Sequence, residues 1–199
     1  MVPSVGGLPA GSRRELAGVG GGEVRSLRWP PVALPSPAPP PVTVEDAVPA
    51  DFPAIAALTV GVYRDEGLAS DAYLPQLADV EGRAGRSQLI VARAGRRVVG
   101  AVALVLEGDF GEITEAEDEA AFRMLVVDPG ARGRGVGELL VTECLARARA
   151  AGKRRVVLST EPVMTAAHRL YARLGFTRLP GRDWAPRPGI DLLAYALDL

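Results

Sequence analysis

Phe122-Arg-Met-Leu-Val-Val-Asp-Pro-Gly-Ala-Arg-Gly-Arg-Gly-Val-Gly-Glu-Leu-Leu140 carries four structural signals in a row. An apolar run reads as a buried strand. Asp-Pro-Gly marks a turn, a glycine-rich loop follows, and an apolar helix start closes the stretch. The loop spacing is Arg132-x-x-Gly135-x-Gly137. Glycines clear side chains from such a loop, its backbone N–H groups converge, and the dipole of the following helix favours negative charge. Pyrophosphate suits that cradle. Two other phosphate motifs fail here. A P-loop needs Gly-Lys-Ser/Thr, and Gly137 is followed by Glu138. A dinucleotide fingerprint needs G-x-G-x-x-G, whereas Gly133, Gly135 and Gly137 alternate. Taken alone, the loop is also open to a plainer reading, a turn that merely lets a helix begin.

A second stretch, Met164-Thr-Ala-Ala-His-Arg-Leu-Tyr-Ala-Arg-Leu-Gly-Phe176, lies about one βα unit further on. An R-x-x-G-x-G loop after an apolar strand, then A-x-x-L-Y-x-x-L-G-F, resembles the GNAT superfamily of acetyl-CoA-dependent N-acetyltransferases. The resemblance spans residues 42–199. It implies an α/β fold with a mixed, mostly antiparallel central sheet flanked by about four helices. It also implies direct transfer of an acetyl group from acetyl-CoA, as co-substrate, to a primary amine of a small molecule or peptide. No metal is implied: one histidine and one cysteine form no ligand cluster.

The resemblance assigns roles residue by residue. Arg132, Gly133, Arg134, Gly135, Val136 and Gly137 would hold the pyrophosphate. Backbone groups of Leu125, Val126 and Val127 would pair with the pantetheine arm, beside a splay in the sheet that local sequence cannot show. Tyr171 matches the tyrosine that protonates the departing thiolate; its bland reading is a buried helix tyrosine. Two positions depart from the family. Met164 stands where an asparagine often contacts the cofactor. Ala121 stands where a glutamate often serves as base. Glu119 lies two residues earlier, on the same strand face, so it is either a base acting through water or one of a run of surface acids. His168 neighbours Tyr171 at i and i+3, with a plain helix histidine as the simpler reading. Cys144 falls on an apolar helix face and reads as core.

With 199 residues, the chain is long enough for one domain with a sizeable core. Its net charge of −1 gives no global signal for nucleic acid or an anionic membrane. A single cysteine permits no intrachain disulfide, and no apolar run reaches membrane-spanning length. A cytoplasmic protein is expected. Residues 1–41 hold 9 prolines and 7 glycines without hydrophobic period, and read as a disordered leader before the 42–199 domain. Arg13-Arg14 lacks a following apolar segment, so no export signal is read there.

Apolar periodicity then predicts a strand at 42–44, a helix from Asp51 to Gly67 and a second helix over 73–80. A hairpin follows over 88–93 and 97–105, then a strand at 121–127 and a helix at 136–151. A strand at 154–159, a helix at 165–174 and strands at 176–178 and 191–197 complete the order. Residues 107–119 carry seven acids and no base, which either attract a cationic amine or form a solvated loop. Trp184, in a Pro-rich loop, either walls an acceptor pocket or covers core. Basic residues at Arg147, Arg149, Lys153, Arg154 and Arg155 lack interleaved aromatics, so nucleic acid is not expected. Homodimers are common among fold relatives, and nothing local decides the point. The rival reading is a catalytically degenerate acyl-CoA-binding sensory or interaction module. Ala121 and Met164 favour it; Tyr171 and the intact loop disfavour it.

Overall fold

The computed structural model describes residues 40–108, 114–187 and 189–199. The chain divides into two units, Met1–Pro37 and Ala38–Leu199, and every described residue belongs to the second. Apart from Pro40 and Pro41, the expected leader lies outside the described residues, as do Asp109 and Glu112 of the acidic run.

Among the described residues, eight strands form the sheet: β1 (Val42–Asp46), β2 (Gln88–Ala94), β3 (Arg97–Val105), β4 (Glu119–Val127), β5 (Arg155–Thr160), β6 (Thr177–Arg178), β7 (Trp184–Arg187) and β8 (Ile190–Asp198). Their order is β1-β2-β3-β4-β5-β8-β6, with β7 paired to β8. Every pairing is antiparallel except β4 with β5. The helices are α1 (Phe52–Asp65), α2 (Leu74–Ala78), α3 (Val80–Ala84), α4 (Val136–Ala150) and α5 (Thr165–Arg173). One more helix forms than expected because residues 73–80 do not continue as one. Asp79 leaves helical geometry, and its carboxylate accepts the Gly82 N–H at 2.9 Å, capping a new helix.

The central strands are apolar on both sides because helices cover both faces. Ile90, Val102 and Leu104 meet Val136, Leu140, Val141 and Cys144 of α4. The alternate residues Leu89, Val91, Ala101 and Ala103 meet Ile55 and Val62 of α1 and Val80 of α3. Gly100 of β3 lies directly under α4. A Cβ there would sit 2.9 Å from Val136 Cγ1, 3.0 Å from Leu140 Cδ1 and 3.1 Å from the Val126 carbonyl oxygen. Gly100→Ala should therefore lower stability by about 1–3 kcal/mol through overpacking, read as a drop in urea midpoint at unchanged m.

Two irregularities in β4 matter for the site. First, its parallel pairing with β5 covers only Glu119, Ala120 and Ala121 against Arg155, Val156 and Val157. Beyond Ala121 the two strands run on to Val127 and Thr160 without pairing, so the sheet splays open. Second, the β3–β4 register shifts between Ala101 and Ala103, and Met124 has φ 52°. The shift is a bulge. Phe122 and Leu125 pack on the same face although three apart, which strict alternation forbids.

Candidate active site

Asp128 shapes the turn after β4, its carboxylate accepting the Gly130 N–H at 2.9 Å. Gly133 and Gly135 then adopt φ 73° and 78°, which side chains disfavour. The first α4 hydrogen bond runs from Leu139 N–H to the Gly135 carbonyl at 2.9 Å. The amides of Val136, Gly137 and Glu138 precede any acceptor in the helix, as at every helix start. The Val136 side chain is buried and anchors this turn. A Cβ on Gly137 would come 3.2 Å from Leu170 Cδ2, so glycine lets the helix start close against α5. Arg132 is paired with Glu66, and Arg134 donates to the Pro40 carbonyl at 3.0 Å.

Leu125, Val126 and Val127 lead straight into this loop. Val126 is buried on the α1 face, while Leu125 and Val127 pack on the α4 face. β3 takes one edge of this segment, and the splay leaves the edge toward β5 without a strand.

A cavity of about 460 Å³ occupies the splay. Arg123 and Met124 line it from β4, and Ser159 and Thr160 from β5. Glu161, Met164, Tyr63, Tyr73, Trp184 and Arg187 complete much of the wall. Trp184 thus walls the cavity, and its Nε1–H donates to Ser159 Oγ at 3.2 Å. It does so from β7, a strand hidden by its prolines in the sequence. Pro186 lacks a donor, which an edge strand tolerates. Burial pushes the Glu161 carboxyl above its ordinary range and the Tyr63 phenol up to about 12. Met164 Sδ accepts from Thr160 Oγ1 at 3.5 Å, so this side chain is held within the chain. His168 bonds the Glu161 carbonyl through Nε2 at 3.1 Å and holds the β5–α5 connection.

Tyr171 is buried where β4, α5 and β8 meet. Its ring centroid lies 5.9 Å from Phe122, 5.8 Å from Phe176 and 6.1 Å from Tyr195. Burial raises its phenol well above the usual value, and Tyr63 on the cavity wall is close enough to add to the rise. Cys144 is fully buried on the core-facing side of α4, and burial pushes its thiol up to about 12. Among the described residues, no group of three or more His, Cys, Asp and Glu could hold a metal ion.

Glu119 does not reach this site. It starts β4 at the closed end of the splay, four residues or about 13 Å of strand from Arg123. Its two carboxylate oxygens accept from Arg182 at 2.8 and 2.9 Å, and Glu115 N–H donates to it at 3.0 Å. Burial alone would raise its pKa; these hydrogen bonds and the charges of Arg182 and Arg155 outweigh that and lower it. The sequence reading of Glu119 as base is corrected to an ion-pair anchor. The described acids near it are engaged too: Glu115 with Arg182, Asp118 with Arg154. Glu107, Glu115, Glu117 and Glu119 line a separate recess with Lys153, not the cavity.

Glu119→Gln is therefore expected to cost about 1–3 kcal/mol of stability at neutral pH. A lowered folded pKa means this contribution is full above the ordinary carboxylate range and is lost as pH falls through the folded value. Urea melts between pH 7 and pH 3 should show a shallower acid loss in the variant than in the parent.

Sequence reasoning missed Arg123, Glu161, Tyr63 and Arg187. Arg123 was visible as the one charged residue inside an apolar strand, and Glu161 as the acid just past one. Nothing in the sequence marked Tyr63 or Arg187.

Residues 53–176 match the family model described as the acetyltransferase (GNAT) family. No curated protein sequence matches the chain significantly. Among solved structures, a GNAT-family acetyltransferase from Staphylococcus aureus Mu50 superposes with TM-score 0.64 at 16% identity, over 80% of this chain and 99% of that one. A GCN5-related N-acetyltransferase from Kribbella flavida gives 0.61 at 26% identity, over 79% and 98%. The Salmonella typhimurium protein yncA, solved with its cofactor acetyl-CoA, gives 0.57 at 25% identity, over 79% and 94%. Among the described residues, no helix is long and apolar enough to cross a membrane.

Proposed function

Because the chain belongs to the GNAT acetyltransferase family, we propose that it is an N-acetyltransferase moving an acetyl group from acetyl-CoA directly to a primary amine of a small molecule or peptide. One observation carries this reading. The unpaired edge of β4 runs straight into a glycine-framed ring of free helix-start amides, and a cavity opens in the same splay. An extended arm ending in a diphosphate fits that sequence of surfaces. The acetyl-CoA seen in the yncA relative supports the choice of cofactor.

When bound, acetyl-CoA supplies an acetyl group activated by its thioester. The protein's part is positional and protonic. Val136, Gly137 and Glu138 amides and the Arg132 guanidinium hold the diphosphate. Leu125 and Val127 backbone groups bond the arm as an added strand would. Tyr171 stays neutral across the working range and gives its proton to sulfur as the C–S bond breaks. The attacking nitrogen supplies the proton that restores Tyr171. An amine arriving as ammonium must first give one proton up, and Glu161 is the acid in the cavity placed to take it and pass it to water. Since acetyl-CoA is the donor, we assign the protein to the cytoplasm.

The test is release of free thiol from acetyl-CoA by the purified full chain, with and without a panel of amines, with the acetylated product identified by mass. Amine-dependent thiol is the expected result. The second reading, a CoA-binding module without turnover, is favoured by Met164, whose sulfur is turned to Thr160 where the family's asparagine would contact the cofactor. It predicts acetyl-CoA binding with no amine-dependent thiol.

A further inference from the structure

The cavity carries an unexpected sign. Its charged lining is Arg123, Arg187 and Glu161. Arg83 does not line it; that residue is 2% exposed, with its Nε unpartnered and one NH2 group donating to the Leu77 carbonyl at 2.5 Å. Arg83 is within electrostatic reach of Tyr63, Tyr73 and Arg123 on the cavity wall, and of Asp79, which offsets its charge. Among the described lining residues two guanidinium groups thus stand against one acid, which biases the space toward an anion. Glu161, the one acid among the described lining residues, is the weaker counterweight because burial opposes its charge.

The placement of the charges is as informative as their number. Arg123 stands on the open length of β4, just before the bulge, and Glu161 directly follows the last residue of β5. The two strands are the two lips of the splay, so a cation and an acid face the same gap from opposite sides. Arg187 comes in from β7, its guanidinium 5.4 Å from the Tyr73 ring centroid, which orients it. Guanidinium forks suit carboxylate, phosphonate and phosphinate oxygens. Tyr63, Tyr73 and Trp184 leave apolar surface for a side chain.

Resting on the acetyltransferase reading, we infer that the acceptor is an amine that also bears an anionic group: an amino acid or an aminoalkyl phosphonate or phosphinate. Its anionic end sits on Arg123 and Arg187, and its ammonium end faces Glu161. The ammonium gives one proton to Glu161. The freed lone pair forms the N–C bond, the C–S pair leaves on sulfur, sulfur takes the Tyr171 proton, and the nitrogen's excess proton returns to Tyr171. This choice runs against the cationic amine that the acidic run suggested, and Glu107, Glu115, Glu117 and Glu119 of that run line another recess.

The experiment compares matched acceptors: the proteinogenic amino acids against their decarboxylated amines, and 2-aminoethylphosphonate against propylamine. At least one anionic acceptor should exceed its neutral match by roughly 100-fold in kcat/KM, because a site built for a charged group leaves its own charges unpaired with the analogue. Arg187→Gln should erase most of that preference while the KM for acetyl-CoA is unchanged. Arg187 is exposed on an edge strand, so its loss should not threaten folding. Calorimetric titration of the best anionic acceptor into CoA-saturated protein should show binding that Arg187→Gln loses. Turnover of neutral or cationic amines with no anionic preference would overturn the inference and leave the acetyltransferase standing. So would acetyl-CoA binding with no anionic amine bound or turned over. Failure to bind acetyl-CoA at all would remove both.

Discussion

An Arg132→Glu, Gly135→Glu double variant should lose acetyl-CoA affinity by at least about 100-fold in calorimetric titration. That factor corresponds to roughly 2.7 kcal/mol, and the charges alone can supply it. Two carboxylates would stand where diphosphate oxygens are to be held, and each pair of like charges a few ångströms apart near a protein surface costs up to about 4 kcal/mol. The fold should survive. A side chain at Gly135, with φ 78°, strains the backbone by about 1–2 kcal/mol. The Arg132–Glu66 pair is partly exposed and contributes less than about 1 kcal/mol. A melting curve close to the parent's, beside absent binding heat, would assign the diphosphate to this loop. Unchanged affinity would reduce the loop to a turn that starts α4.

Tyr171→Phe should reduce kcat by roughly 100-fold, the lower range for a lost general acid, while the Kd for acetyl-CoA stays the same. The ring contacts with Phe122, Phe176 and Tyr195 survive the substitution, so stability at neutral pH should change little. The pH dependence has a defined sign. The folded phenol titrates above its unfolded value. Its contribution is therefore complete below the ordinary tyrosine range and is lost as pH rises through the folded value. The variant should resist alkaline unfolding slightly better than the parent. A kcat equal to the parent's would leave Tyr171 as a core ring only.

What the sequence disclosed divides along a physical line. β3 and the start of α4 were legible to the residue, because an apolar run and a glycine at a helix start are local signals. The glycine turn that opens α4 was legible through its spacing, whereas Tyr171 was singled out only by the family resemblance. The splay was not, since it is a missing pairing between strands some thirty residues apart, and the apolar side chains of β4 are the same with or without it. The bulge at Met124 was equally silent: nothing about methionine asks for φ 52°. Yet that bulge shifts the face on which each later β4 side chain sits. The error over Glu119 came from the same source. Strand parity puts it on the face of Ala121, but parity does not say which end of the strand opens, nor that Arg182, sixty-three residues away, closes on it.

The aromatic cluster at the splay has a mechanical consequence. Only three rungs of backbone join the two half-sheets at β4–β5. On the α5 side Phe122 from one half and Tyr195 from the other both touch the Tyr171 ring, which rivets them together. The side chain proposed as proton donor is thus also a fastener. Its hydroxyl inherits its aim from the rigidity of a seam rather than from a hydrogen bond of its own. Loosening that seam should blur the aim of the proposed acid before it unfolds the protein.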